Sequence, residues 1–176
     1  MHKNYWSLLL LLFVTNSLLA QDSFDFFKKE LDQMLANETV YQNKKNSAIN
    51  QLKNRLRSAS SNEIRYLLNE KLYEEYKSYQ SDSALVYAKR SLQTAHKNRN
   101  SNQVNKAQLN LASILGTLGM YNQALDILNT IEPSVAQQLK GEFYWTKRIV
   151  YGGLAGYATS VEEKNKYNQL GNENRD

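Results

Sequence analysis

The residues that most often carry out chemistry are scarce in this sequence. Its 176 residues include no Cys and two His, His2 and His96. Without thiols there is no Cys nucleophile, disulfide framework or Cys-ligated zinc, and two His make a multi-His metal site or a Ser-His triad unexpected. His96 stands at the end of a predicted helix, where a cation interacts favourably with the helix dipole. We therefore interpret it as a capping cation and not as a ligand.

The acidic residues do not form a catalytic pair either. Glu74-Glu75 and Glu162-Glu163 are adjacent in sequence, so on a helix their side chains diverge. Acid/base catalysis by two carboxyl groups needs both to face one substrate. We therefore expect no enzymatic activity, no cofactor and no metal, and we name no catalytic residue.

The mild basic excess is spread along the chain, and one predicted helix, at 39–58, carries several of the cations. This helix can bind a polyanion, or it can form a solvated outer face, and the pattern leaves both interpretations open. Its cations are Lys44, Lys45, Lys53, Arg55 and Arg57.

The distribution of Gly and Pro indicates that helices position these residues. All seven Gly lie at or after Gly116, and the single Pro is Pro133. Tight β-turns and Gly-rich phosphate loops need such residues, so the first 115 residues argue against an all-β fold and a dinucleotide-binding loop. Apolar spacing and capping residues instead predict consecutive helices. We expect helices at 24–36, 39–58, 60–79, 83–98, 103–118, 121–131 and 134–154, and a last one after 160. Capping boxes Ser60–Glu63 and Ser160–Glu163 begin two of them, and Ser81-Asp82-Ser83 and Ser134 cap two others. Gly119 and Gly156 are expected to end the helices that precede them.

The first 20 residues have the layout of a secretory signal peptide. Lys3 precedes an apolar run from Leu8 to Val14, and small or polar residues lead to Ala20. The run is shorter than the roughly 20 residues that span a bilayer. We expect cleavage after Ala20, with a retained signal anchor as the alternative, and no transmembrane span after it. An exported, periplasmic protein meets no chromosomal DNA, so we attribute the net charge of +5 to solubility and expect no nucleic-acid contact.

Comparison of the helix pairs shows an internal repeat with a period of roughly 36–40 residues. The segment LASILGTLGMYNQALDILNTIEP at 111–133 resembles a tetratricopeptide repeat (TPR), a helix–turn–helix unit. Small side chains at the crossing let two antiparallel helices approach closely, and the aromatic residue of the turn fills the wedge to the next pair. The matching residues are Leu111, Ala112, Gly119, Tyr121, Ala124, Leu128 and Pro133.

Two neighbouring segments fit the same scheme. The unit at 72–95 has Ala84 and Ala88 in its second helix, and the unit at 143–163 has Tyr151 and Tyr157 in the expected order. The resemblance implies an all-α fold, a right-handed α-solenoid of about three antiparallel helix pairs at 61–176. The N-terminal helices at 21–60 are then a cap or a degenerate repeat.

The resemblance also implies a concave surface for a protein or peptide partner. Tyr and Trp suit such a surface because they give a large contact area at low entropic cost, and Trp145 is the best single candidate. Some of these residues can instead pack between helices, and we expect one of Phe143, Tyr144 and Trp145 in the core. The repeat positions place ten residues on the surface, namely Tyr66, Asn69, Tyr73, Tyr76, Lys106, Leu109, Ser113, Glu142, Trp145 and Ile149.

A narrower resemblance comes from NEKLYEEYKSYQSDSAL, YNQALDIL and YWTKRIVYGGLAGY. These segments are similar to the N-terminal part of exported, membrane-anchored TPR proteins of Gram-negative bacteria, which continue into a transmembrane helix, a coiled segment and a regulator-like domain. We predict a non-enzymatic scaffold that binds a protein or peptide. The alternative is the periplasmic sensory portion of a membrane-anchored transcriptional regulator. The polar segment 160–170 either caps a complete solenoid or precedes further helices of a longer chain, and we expect the latter.

Overall fold

The computed structural model describes the backbone of residues 4–131 and 137–173, and within those ranges the side chains from residue 26 onward. The described backbone contains helices and no β-strand, and none of its helices is long and apolar enough to cross a membrane. The chain divides into two compact units, residues 1–47 and 48–176. The helices are α1 Asn4–Arg57, α2 Asn62–Tyr76, α3 Ser81–Asn98, α4 Ser101–Thr117, α5 Tyr121–Thr130, a 3-10 turn Gln137–Leu139, α6 Lys140–Tyr157 and α7 Val161–Asn172.

The first unit lies within α1, which continues without a break where the sequence predicted two helices, at 24–36 and 39–58. Asn37 and Glu38 lie between the two predicted helices, and neither is Gly or Pro. A break there would remove backbone hydrogen bonds, and no helix-breaking residue favours it, so the helix continues. The predicted apolar stripe is exposed, with Phe27, Leu31 and Met34 among its members. Cleavage of residues 1–20 as a signal peptide stays a prediction.

Side-chain caps begin three helices of the second unit. Oxygens of Ser61, Asn100 and Ser160 each accept a hydrogen bond from a backbone N–H three residues on, at 3.1–3.2 Å. Ser160 confirms the predicted start of α7. The cap of α2 lies one residue later than the predicted Ser60, because Ala59 is buried and its carbonyl oxygen accepts from the Arg65 side chain at 3.0 Å.

The start of α3 also differs from the prediction. Its N-cap is Gln80, which makes no side-chain capping hydrogen bond. Ser81 and Asp82 therefore lie inside the helix, where the carboxylate of Asp82 interacts favourably with the positive end of the helix dipole.

The turn between α4 and α5 confirms the predicted role of Gly119. This residue has φ of +77°, in the left-handed region that glycine adopts without steric cost. The N–H of Gly119 donates to the carbonyl of Gly116 at 3.1 Å, and the N–H of Met120 donates to that of Leu115 at 2.9 Å. This pair of bonds is a Schellman motif, which satisfies the last carbonyl groups of α4.

The second unit is built from three helix pairs, α2 with α3, α4 with α5, and α6 with α7. The end of α1 contributes Ile49, Leu52 and Leu56 to its core. The small residues predicted at the helix crossings are fully buried, as close approach of two helices requires. The repeat-defining residues in this core are Ala84, Ala88, Leu111, Ala112, Ala124 and Leu128.

The third pair packs against the second through an aromatic ring. Gly153 of α6 lies so close to the Tyr121 ring that an added Cβ would overlap it, which confirms that Tyr121 fills the wedge between repeats. Tyr121 also meets the ring of Tyr157, with centroids 5.8 Å apart. Tyr151 stacks on Tyr167 of α7 with a centroid distance of 6.4 Å.

Gly156 does not end α6, contrary to the prediction. The helix continues to Tyr157 and is followed by Ala158, and Gly119 is the glycine with positive φ in the described backbone. Without a left-handed conformation at Gly156, the helix is not interrupted there. Pro133 and the predicted cap Ser134 lie outside the described residues.

Candidate functional site

The predicted concave strip divides into a buried half and an accessible half. The buried side chains lie mainly on α2, which packs along α3 and reaches α4 through side-chain hydrogen bonds. They are therefore not open to a partner in this structure, which corrects their predicted exposure. The buried residues are Tyr66, Asn69, Tyr73, Tyr76 and Leu109.

Two of the buried tyrosines connect α2 to α4. The Tyr66 hydroxyl donates to the carbonyl oxygen of Gln103 at 3.5 Å, and Ser113 of α4 lies near enough to Tyr73 to lower the pKa of its phenol. Burial raises the pKa of both phenols well above the usual value of 10, because the low-dielectric interior disfavours the phenolate. Both groups are thus neutral links between neighbouring repeats.

The accessible half consists of Lys106, Ser113, Glu142, Trp145 and Ile149, which we call the α4–α6 face. The Trp145 side chain is 59% exposed and Ile149 is 47% exposed. These two residues are four positions apart on α6 and therefore lie side by side on one face of the helix. Lys106 Nζ of α4 donates to Glu142 Oε2 of α6 at 2.6 Å, so an ion pair connects the two helices that carry the face.

The neighbours of Trp145 define the edge of the α4–α6 face. The guanidinium of Arg148 lies over the indole, 5.7 Å from the ring centroid, which is within cation–π range. Phe143 is buried and Tyr144 is partly buried against the core. The prediction that one of the three consecutive aromatic residues belongs to the core is confirmed by Phe143.

A buried polar cluster between α2, α3 and α4 was missed by the sequence analysis. The Glu70 carboxylate accepts hydrogen bonds from Ser91 Oγ and from Asn110 Nδ2, the latter at 2.8 Å. Ser91 and Asn110 are fully buried. Burial raises the pKa of Glu70, and the two hydrogen bonds and Lys106 partly offset this effect. The three residues are 19 or more positions apart, so no local motif reveals them.

The cluster positions the repeats and does not resemble a reaction centre. Its carboxylate is held between two hydrogen-bond donors on neighbouring helices, which is how buried charge is normally accommodated. Among the described side chains, no group of three or more His, Cys, Asp or Glu could hold a metal ion.

The fold and its helix pairs agree with a comparison with known families. A family model described as the SusR N-terminal TPR domain matches residues 35–176. The chain belongs to this family. The match begins within α1 and includes all three helix pairs of the TPR domain. No curated protein and no solved structure gave a significant match.

The family assignment confirms the TPR resemblance and the all-α solenoid. It also supports a helical-repeat scaffold, since the helix pairs of a solenoid form an extended surface. It does not single out individual residues of the TPR domain. The role of the α4–α6 face in binding therefore stays a prediction.

Proposed function

We propose that this chain is a non-enzymatic scaffold that binds a protein or peptide through the α4–α6 face. The observation that carries the proposal is the exposed pair Trp145 and Ile149 beside the Lys106–Glu142 ion pair. Large apolar side chains flanked by charged groups are typical of a binding hot spot with a polar rim.

The chemistry of this face favours a particular kind of partner. Trp145 and Ile149 offer apolar contact, while Lys106 and Glu142 keep part of their polar atoms accessible, with side chains 30% and 40% exposed. An amphipathic helix or an extended peptide with apolar anchors and a few charged residues satisfies both features.

We further propose that the protein acts outside the cytoplasm, in the periplasm. The support is the n-region, apolar run and Ala20 of the first 20 residues. Sequencing the N-terminus of the protein recovered from a periplasmic fraction tests this proposal. A mature start at Gln21 agrees with it, and recovery of intact Met1 in the cytoplasmic fraction contradicts it.

A second candidate is the sensory portion of a membrane-anchored transcriptional regulator. The observation that favours it is the description of the matching family as an N-terminal domain. The reading frame of the gene beyond Asp176 tests it, because the regulator needs codons for a hydrophobic span and a further domain. A stop codon directly after Asp176 contradicts it.

A selected peptide tests the binding proposal directly. Peptides that bind the full chain are first selected from a random displayed library, and the affinity of one is then measured by fluorescence polarisation. We expect Trp145→Ala with Ile149→Ala to weaken binding at least tenfold, as loss of a hot spot does. Ile64→Ala with Leu67→Ala is the matched control, because both residues are exposed apolar side chains on α2. Equal affinity of the two variants contradicts the proposal.

A further inference from the structure

A second surface, away from the α4–α6 face, is a basic cleft between the end of α1 and α3. Its volume is about 470 Å³, and it is lined by Lys53, Leu56, Arg57, Tyr87 and Arg90. Three of the five lining residues are cations and none is acidic. The sequence left open whether the basic residues of 39–58 bind an anion or form a solvated face, and this cleft contains two of them.

Two stacked aromatic rings lie beneath two of the cations of the cleft. Tyr76 and Tyr87 lie parallel, with centroids 5.5 Å apart and an interplanar angle of 5°. Lys53 Nζ lies 5.5 Å from the centroid of the Tyr76 ring, and the Arg90 guanidinium lies 5.4 Å from that of Tyr87. Cation–π attraction to buried rings therefore holds the ends of two side chains that rotate freely elsewhere on a surface.

The positive charges are close enough to repel one another. Lys53 and Arg57 are four residues apart on α1 and so share one face of the helix. The pKa of Lys53 is raised, chiefly by its hydrogen bond with Tyr76, while the charge of Arg57 acts in the opposite direction. The charge of Arg57 therefore acts against that of Lys53 in the folded protein.

The described lining of the cleft contains no acidic side chain. Arg57 donates to the amide oxygen of Asn54 at 3.3 Å. The ion pairs Glu74–Lys77 and Glu142–Lys106 include none of the three cations of the cleft. An anion in the cleft would relieve the repulsion and gain several charge-assisted hydrogen bonds.

We propose that the basic cleft binds a small phosphate-class anion with two or more negative charges, such as pyrophosphate or a phosphomonoester. Arginine side chains bind phosphate oxygens in a bidentate manner, and a tetrahedral group offers oxygens to donors that approach from α1 and from α3. A single carboxylate has two oxygens in one plane and suits one guanidinium better than three cations. The bound anion would connect α1 to α3.

Isothermal titration of the full chain with sodium pyrophosphate at constant ionic strength tests this site. We expect saturable 1:1 binding that weakens roughly tenfold in Arg57→Gln and in Arg90→Gln, because each loses a charge-assisted hydrogen bond. Lys89→Gln is the matched control, since this residue precedes Arg90, is exposed and does not line the cleft. Its affinity should equal that of the unchanged chain.

Three results would overturn the proposal. The first is the absence of saturable binding, and the second is equal weakening in Lys89→Gln, which indicates attraction to net charge without a defined site. The third is binding of sodium citrate as tightly as pyrophosphate, which removes the preference for phosphate. Circular dichroism of each variant verifies that it is folded, and since Arg57 and Arg90 are exposed we expect unchanged helicity.

Discussion

Lys106 of α4 and Glu142 of α6 form an ion pair, with 2.6 Å between Nζ and Oε2, that connects the first helices of two neighbouring repeats. The same ammonium group lowers the pKa of Glu70 in the buried cluster. Lys106 therefore links the α4–α6 face to the interior of the repeats through its charge.

The ion pair itself should contribute little to stability, because both side chains are partly exposed. We expect a coupling free energy of about 0.2–1 kcal/mol from a double-mutant cycle with Lys106→Ala and Glu142→Ala. Urea unfolding at low salt measures it, and the coupling should decrease at high salt. A coupling of several kcal/mol would show that solvent does not screen the pair.

Glu70 should make stability depend on pH in a defined direction. Burial raises its folded pKa above the usual 4.5, so folding holds its proton more tightly. Its stabilising contribution is complete below pH 4.5 and is lost as the pH rises through the folded pKa. The glutamine in Glu70→Gln does not titrate, so this variant does not lose that contribution. Its free energy of unfolding minus that of the unchanged chain should therefore increase from pH 4 to pH 7.

Paired urea titrations of Glu70→Gln and the unchanged chain at the two pH values measure this difference. The glutamine keeps hydrogen-bonding possibilities, because Asn110 Oδ1 lacks a partner among the described residues. Ser91→Ala keeps the titrating group and removes a donor that lowers its pKa, so the stability of this variant relative to the unchanged chain should decrease over the same pH range. A relative stability of Glu70→Gln that stays constant or decreases with pH contradicts the raised pKa.

Gly153 and Gly152 form a matched pair on α6. A methyl group at Gly153 would overlap the Tyr121 ring, whereas one at Gly152 would meet nothing within 4 Å. We expect Gly153→Ala to lower the free energy of unfolding by about 1–3 kcal/mol through overpacking. Gly152→Ala should raise it by about 0.5–1 kcal/mol through helix propensity.

Thermal unfolding of both variants measures the contrast. Adding Tyr121→Leu to Gly153→Ala should restore part of the lost stability, because the smaller side chain leaves room for the methyl group. Equal effects of the two Gly→Ala changes would show that Tyr121 does not fix the approach of α6.

Substitutions at two helix ends should change the free energy of unfolding in opposite directions. Gly119 has φ of +77°, and Arg99 adopts φ of +54° at the end of α3. Gly119→Ala should lose about 1 kcal/mol and Arg99→Gly should gain up to about 1 kcal/mol, because glycine tolerates the left-handed conformation. Urea unfolding of each variant measures both changes, and a stabilising Gly119→Ala would contradict the Schellman motif.

The sequence was sufficient to predict the helical repeats, but it did not predict which residues of the candidate site are exposed. Ala84, Ala112 and Ala124 follow helical periodicity, and Gly119 has a single well-defined use, so local rules placed them correctly. Whether Tyr66 and Tyr73 are buried depends on how α2 comes together with α3 and with side chains of α4, which no local pattern encodes. Repeat positions alone therefore assigned buried and exposed residues to one strip.

The same limitation explains two further differences. The absence of Gly and Pro near residue 37 indicated a helical segment. Whether the chain forms one helix or two there depends on a small difference in free energy between a continuous and an interrupted backbone. Glu70, Ser91 and Asn110 come together only after three helices have packed. Each residue alone resembles an ordinary polar position on its own helix.

Protection of Trp145 by a bound peptide tests the central claim most directly. In a Trp6→Phe background, Trp145 is the single tryptophan of the chain, and its exposure of 59% makes it accessible to acrylamide. Quenching is measured with and without a saturating peptide selected on the full chain. Binding at the α4–α6 face predicts a marked decrease in the quenching constant. An unchanged constant at full occupancy would contradict it and place the binding surface elsewhere on the solenoid.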